Sequence, residues 1–246
     1  MNQQVVIIPT FNEIENIESI INSVFKLSTP FDILIVDDNS PDGTADKVIE
    51  LQSAFTERLH LLQRKNKKGL GTAYIDGFKY ALDHHYDYIF EMDADFSHNP
   101  NDLERLLAEL KNGTDLIIGS RYVQGGGFRN WGLDRKILSK GASYYVKLIT
   151  WMPINDATAG FVGYNAGVLR NINLDSIEFV GYAFQIEMKY AAYVNEFKLK
   201  EIPITFKDRE KGQSKMNLSI ISEALGGVLK MRWKSFRNQY TKTDKA

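Results

Sequence analysis

Cysteine is absent from the 246 residues, which excludes disulfides, thiolate metal sites and cysteine nucleophiles and fits a reducing compartment. Histidine is scarce. The four, at 60, 84, 85 and 98, make no HExxH pattern, so transition-metal hydrolysis is not expected. Long hydrophobic runs are missing as well. The longest stretch without charge, residues 157–169, is interrupted by Thr, Gly and Asn, whereas a bilayer-spanning helix takes about 20 apolar residues. The start, Met1 to Gln4, leads directly into an apolar run ending at Pro9 and shows neither the basic stretch nor the cleavage site of a secretory leader. No sign of charge is in excess, since 30 basic residues face 31 acidic ones. A nucleic acid polymer is therefore not an expected partner, and any anion site must be local.

What the sequence does contain is an alternation. Short β-branched runs at 5–8, 33–36, 59–62, 88–92 and 116–119 are separated by helical patterns at 15–25, 44–55, 72–84 and 100–110. Continuous apolar strands of this kind are buried on both faces, so the expected class is α/β with a doubly wound, mostly parallel sheet. The second half is less regular. Gly125-Gly126-Gly127 reads as a mobile loop, 135–151, 183–195 and 218–236 as helices, and 198–206 as a strand or strand pair. By length this is one domain, residues 1–215, with a C-terminal segment, 216–246, that reads as an amphipathic basic helix.

Ligands of open α/β sheets sit beyond the carboxyl ends of the strands. Each expected strand ends there in a polar cluster: Pro9-Thr10-Phe11-Asn12-Glu13, Asp37-Asp38-Asn39-Ser40, Asp93-Ala94-Asp95 and Ser120-Arg121. A single carboxylate in such a place is ordinarily a helix cap or turn residue. Four clusters on one rim are poorly explained that way. Asp93 and Asp95 can offer oxygens to one hard divalent cation, which takes few protein ligands and keeps positions for substrate phosphates. The competing reading has Asp95 capping the next turn and Asp93 in water. Within 37–44, Asp42-Gly43 makes a turn and Thr44 can cap the following helix, which leaves Asp38 unexplained and suited to bind a base or ribose. Lys65, Lys67 and Lys68 precede Gly69-Leu70-Gly71-Thr72 with neither of the two phosphate-loop spacings.

An ordered set of segments carries a family resemblance: PTFNE at 9–13, DDNSPDGT at 37–44, GLGTAY at 69–74, DADFSHNP at 93–100, GSRYVQGGG at 119–127, DRKILSKGA at 134–142, DATAGF at 156–161, YAFQIE at 182–187 and DREKGQSK at 208–215. Together they resemble the inverting family 2 glycosyltransferases of GT-A fold, in particular the polyprenol-phosphate (dolichyl-phosphate) mannosyltransferases. The resemblance implies transfer of mannose from GDP-mannose to a polyprenyl or dolichyl monophosphate with a divalent cation, Mg2+ or Mn2+. It implies that Pro9, Phe11, Glu13, Val36 and Asp38 line the guanosine pocket, and that Asp93, Ala94 and Asp95 hold the diphosphate, with Asp93 and Asp95 on the metal. It further implies that Arg121, Arg209 and Lys215 meet phosphate groups, and that Arg135 and Ser139 serve the acceptor phosphate. Asp95, Arg121 and Arg135 would thus be the catalytic set. Phe11 departs from the family's frequent Tyr, and Ser97 stands where some relatives carry a metal-binding Gln.

A lipid acceptor without a spanning helix implies a peripheral protein, on the cytoplasmic face of a membrane. Leu218, Ile221, Leu225, Val228, Leu229, Trp233 and Phe236 recur at helical spacing, and residues 224–243 contain Lys and Arg but no acid. Residues 142–153, with Tyr144, Tyr145, Leu148, Ile149, Trp151 and Met152, offer a second contact. For each, packing on the core is the competing reading. Three other functions remain open at this point: the same chemistry with UDP-glucose, a catalytically silent sugar-nucleotide or lipid-binding module, and a nicotinamide dehydrogenase, against which stands the lack of a dinucleotide fingerprint after the first strand.

Overall fold

Val5, Val6, Ile7 and Ile8 are all fully buried, because successive side chains of a strand point to opposite faces and both faces of this sheet are covered. In the computed structural model, which describes residues 3–55, 57–67, 69–208 and 218–242, Val5 and Ile7 enter one core and Val6 and Ile8 the other. The strand they form, β1 (Gln4–Thr10), is flanked by parallel β2 (Asp32–Asp37) and β4 (Tyr88–Glu91), and β3 (Leu59–Gln63) lies beyond β2. Helices α1 (Ile17–Phe25), α2 (Thr44–Gln52) and α4 (Asp102–Lys111) follow strands in sequence. Ile17, Ile20, Ile21, Val24 and Val48, with Leu103, Leu106, Leu107 and Leu110, cover the Val6 face. Helix α3 (Leu70–Asp83) covers the Val5 face through Ala73, Tyr74, Phe78 and Ala81. Each such aliphatic or aromatic side chain contributes about 1.5–3 kcal/mol by leaving water.

The seven-stranded sheet has the order β3-β2-β1-β4-β7-β5-β8. Strand β5 (Leu116–Ser120) pairs with β8 (Leu199–Pro203) in parallel, and β7 (Val162–Asn165) runs antiparallel between β4 and β5. Strand β7 has no counterpart among the sequence expectations. It lies inside the charge-free stretch, where Gly163 is required by close approach: a Cβ there would come within 2.6 Å of the Phe90 ring.

The glycine run differs from expectation. Gly127 opens a strand, β6 (Gly127–Arg129), which pairs in parallel with β9 (Thr205–Lys207) as a separate ribbon. Gly126 is where the chain doubles back on the end of β5, a Cβ there falling 2.6 Å from the Ser120 carbonyl. The expected strand pair at 198–206 is thus split between two sheets. Helix α5 (Leu133–Thr150), the short α6 (Ala166–Asn171), α7 (Tyr182–Val194) and α8 (Leu218–Phe236) complete the chain. Val228, Met231 and Tyr240 share the core of β1 and α3, so the C-terminal segment packs on the body of the protein. Among the described residues no helix is long and apolar enough to cross a membrane.

Candidate active site

The parallel strands β1, β2 and β4 end side by side, which brings three of the four polar clusters to one rim. The first two are tied to each other. Asp37, fully buried, accepts from Thr10 Oγ1 at 2.8 Å, Ser40 N at 2.8 Å and Ser40 Oγ at 2.6 Å. Ser40 Oγ accepts from Asn12 N at 3.0 Å, and Thr44 Oγ1 accepts from Glu13 N at 3.0 Å. Thr44 does not cap α2 as the sequence suggests. Asp42 does, accepting from Thr44 N at 3.0 Å, while Gly43 takes the left-handed conformation at φ 87°. The Thr44 hydroxyl donates to Asp42 at 2.6 Å and so braces both loops. Hydrogen bonds to the ionised form hold the Asp42 carboxyl below its usual range, against a desolvation that pushes it up.

With Asp37 and Asp42 committed, Asp38 faces the rim beside Pro9 and Val36. It is buried, and that burial raises its pKa against the lowering effect of Arg64, whose Nε lies 3.2 Å from Oδ1. This pair is an ion pair without hydrogen-bond alignment. Asp38 Oδ1 and Arg64 Nη1 are both buried and lack a hydrogen-bond partner. Arg64 Nη2 donates to Thr72 Oγ1 at 2.6 Å, which anchors the guanidinium to the first turn of α3. Lys67 lies 3.8 Å above the Phe11 ring. Sequence reasoning passed over Arg64 for its lysine neighbours, although Arg64 is the residue that directly follows β3.

Beyond β4, Asp93 is partly exposed and Asp95 buried, and Asp95 Oδ1 accepts from Ser97 N at 3.1 Å. His98 props the turn from beneath. Its ring stacks on Phe161 at 4.9 Å, and Nδ1 accepts from Asp93 N at 3.3 Å, which leaves the proton on Nε2. Burial pushes its pKa down to about 4, so the ring is neutral; it lies in the fields of both Asp95 and Arg121. Below the turn, fully buried Glu91 accepts from Tyr164 OH at 2.7 Å and from Gln185 Nε2. Lys189 Nζ donates to the Ala159 carbonyl at 2.6 Å and the Gln185 carbonyl at 2.9 Å. Burial raises the Glu91 pKa and lowers that of Lys189.

A divalent cation fits this turn on donor chemistry. Among the described residues no third His, Asp or Glu joins the two carboxylates in a metal-binding group. Hard cations such as Mg2+ need few protein ligands, however, and the Ser97 hydroxyl on the same turn is buried without a hydrogen-bond partner.

The other side of the rim is held by charge and aromatic rings. Arg121, at the end of β5, gives Nε and Nη2 to the two oxygens of fully buried Asp156 at 2.7 and 2.6 Å, and Nη2 also donates to Thr158 at 2.8 Å. Tyr122, Phe128, Trp131 and Phe206 each place a ring 5.5 or 5.6 Å from its guanidinium. The sequence expectation gave Arg121 to a substrate phosphate. Here its fork is engaged by Asp156, a residue visible in the DATAGF segment but not singled out. Arg135 lies 5.2 Å above Trp131 and donates to Asp208 at 3.3 and 3.4 Å, joining α5 to the end of β9. Ser139 lies beside Tyr122 on the next turn of α5. Lys207 N donates to the Ser97 carbonyl at 3.1 Å, so the ribbon closes against the Asp93–Asp95 turn. Arg209 and Lys215 lie outside the described residues.

Comparison with known proteins gives this geometry a family. The family model described as glycosyl transferase family 2 matches residues 5–173. The chain is 46% identical over 89% of its length to a polyprenol monophosphomannose synthase of Mycolicibacterium smegmatis, covering 83% of that protein. It is 43% identical over 94% of its length to an undecaprenyl-phosphate mannosyltransferase of Micrococcus luteus, covering 96% of it. It is 36% identical over 93% of its length to a dolichol-phosphate mannosyltransferase of Pyrococcus furiosus, of which it spans 63%. Among solved structures, glucosyl-3-phosphoglycerate synthase of Mycobacterium tuberculosis, in complex with Mn2+, UDP and glucosyl-3-phosphoglycerate, superimposes with a TM-score of 0.67 at 15% identity, over 95% of this chain and 80% of that one. That likeness is one of fold and agrees with the GT-A architecture expected from sequence. The chain belongs to glycosyl transferase family 2 and is a glycosyltransferase.

Proposed function

We propose that this glycosyltransferase moves mannose from GDP-mannose to a polyprenyl monophosphate, assisted by a divalent cation, at the cytoplasmic surface of a membrane. The observation that carries the reading is the 36–46% identity to mannosyltransferases of polyprenyl phosphates over about nine-tenths of the chain. The local chemistry supports it. Guanine presents two N–H donors beside a carbonyl acceptor, and Asp38 beside Arg64 offers a carboxylate next to a guanidinium, each with a buried atom lacking a hydrogen bond. Asp93 and Asp95 would hold the cation, which as a Lewis acid would stabilise the departing diphosphate.

In the transfer, a phosphate oxygen of the acceptor bonds to the anomeric carbon as the bond from that carbon to GDP breaks, and GDP leaves. A phosphate monoester, with its second pKa at about 6, is largely dianionic at neutral pH and has no proton to surrender. No general base is then needed. This agrees with the commitment of nearby buried carboxylates elsewhere, Asp37 to Thr10 and Ser40 and Asp156 to Arg121. Positioning and charge complementarity carry the rate. Arg135 and Ser139, on the exposed side of the rim, are placed to orient the acceptor headgroup. Helices α5 and α8 turn apolar side chains to solvent, which supports residence at a bilayer surface.

The test is turnover with a short-chain polyprenyl phosphate in detergent and a panel of sugar nucleotides. Mannosyl lipid and stoichiometric GDP are expected from GDP-mannose. Preference for UDP-glucose would move the donor assignment, and lack of nucleotide release with every donor would leave a silent binding module.

A further inference from the structure

The outward faces of α5 and α8 differ from the rest of the surface in two independent ways. Among the described residues, nine of the twelve large hydrophobic side chains that are exposed lie on these two helices or on Trp151 directly after α5. Leu133, Ile137, Tyr144, Leu148 and Trp151 follow one helical stripe, and Leu229, Trp233 and Phe236 another. The second difference is charge. Residues 135–150 and 224–243 contain nine of the chain's thirty basic residues and none of its thirty-one acidic ones, so the remainder carries twenty-one basic against thirty-one acidic residues. A chain with a net charge of -1 is therefore strongly polarised.

The two helices also form one unit. Arg232 of α8 donates from Nη1 to the carbonyl of Thr150, at the C-terminus of α5, at 3.3 Å, and its guanidinium lies 4.6 Å from the Trp151 ring and 5.1 Å from the Phe236 ring. A cation at a helix C-terminus is favourable, and here it joins both apolar stripes. Lys234 fastens α8 from the inner side, donating to Glu187 at 2.9 Å and to the Ser176 carbonyl.

We infer that α5 and α8 form a single docking plate selective for bilayers rich in anionic phospholipid, on which the acidic remainder of the molecule is turned away by repulsion. The inference rests on the membrane reading above and adds the lipid chemistry. An apolar stripe alone inserts into any fluid bilayer. The segregated charge distinguishes anionic from zwitterionic surfaces, because each basic residue near an anionic leaflet strengthens binding while the acidic body opposes every other orientation.

The experiment is vesicle cosedimentation of the full chain, without donor, on phosphatidylcholine alone, on phosphatidylcholine with phosphatidylglycerol, and on phosphatidylcholine carrying only polyprenyl phosphate. Binding is expected to be about tenfold or more tighter on the phosphatidylglycerol vesicles and to fall with added salt. The variant Lys140→Gln/Lys147→Gln/Arg237→Gln should lose most of that preference. The variant Lys79→Gln/Lys111→Gln/Lys200→Gln, with the same change in net charge outside the two helices, should keep it. Equal binding to zwitterionic and anionic vesicles, equal loss in both variants, or tight binding that needs only polyprenyl phosphate would overturn the inference. Transfer activity in detergent is measured separately, so that failure of lipid selectivity is distinguishable from failure of the enzymatic reading.

Discussion

The two sides of the rim are built by different means. On the donor side, the loops after β1 and β2 are latched by hydrogen bonds from Asp37, Ser40, Asp42 and Thr44, and the Asp93–Asp95 turn stands on a buried polar layer. On the acceptor side, one buried ion pair sits among four aromatic rings, and beyond it two helices turn apolar side chains outward. A latched side suits a ligand of fixed shape, such as a nucleotide. An aromatic and basic side suits an anionic headgroup followed by a flexible hydrocarbon tail. The difference implies that substitutions on the donor side should separate into those that affect chemistry and those that affect the latch, whereas on the acceptor side the buried pair should dominate stability.

The largest effect is expected at Asp95. Asp95→Asn keeps the size of the side chain and removes the charge that would face the leaving diphosphate. Turnover should fall on the order of 10^3-fold, the scale of losing one electrostatic contact in a transition state, with the thermal midpoint unchanged. Steady-state rates and a melting curve on the same preparation decide it. A drop in melting temperature matching the loss of rate would show that the turn is structural.

Asp156→Ala comes next, and it tests the acceptor side. The substitution leaves the Arg121 guanidinium buried without its carboxylate, a change that costs about 3 kcal/mol because the remaining charge is uncompensated. Urea denaturation should show it. If stability is retained while acceptor KM rises, Arg121 does not depend on Asp156 and the original assignment of Arg121 to phosphate gains support. A smaller loss, about 1 kcal/mol, is expected for Thr44→Val, which removes a hydroxyl that donates to Asp42 and accepts from Glu13 N. Donor KM should rise with it while turnover at saturation changes little.

The same contrast explains what could be read from sequence. Strands β1 to β5 and their helices were legible because fully buried parallel strands are unbroken apolar runs and the intervening helices carry one apolar stripe. Strand β7 was not legible. Its four residues, Val-Gly-Tyr-Asn, are set by the groove between β4 and β5 and by the room Gly163 leaves for Phe90. Ribbon β6–β9 was missed for a related reason, since glycine-rich segments carry no side-chain period. At the site, the carboxylates were found by their position at strand ends. Arg64, Asp156 and His98 were not, because their importance lies in what they touch: Asp38, Arg121 and the backbone of Asp93. The last helix was drawn with its correct bounds, but its two faces proved to have different tasks.

Those two faces give the smallest expected change in stability and a test of the outward stripe. Val228 and Met231 are buried in the core, and Tyr240, just past the helix, donates to the fully buried Glu187 at 3.0 Å. Removing the whole helix would therefore open the core and strip Glu187 of partners, which confounds membrane binding with unfolding. Trp233 is more than half exposed, and its main described contact is the Arg237 guanidinium 3.6 Å from its ring. Trp233→Gln should change unfolding free energy by no more than about 0.5 kcal/mol, as expected for an exposed site. Vesicle partition should fall, because the indole supplies much of the apolar area that a headgroup region would cover. Stability lost along with binding would place Trp233 with the inward face, and binding retained in full would mean that the stripe meets something other than a bilayer.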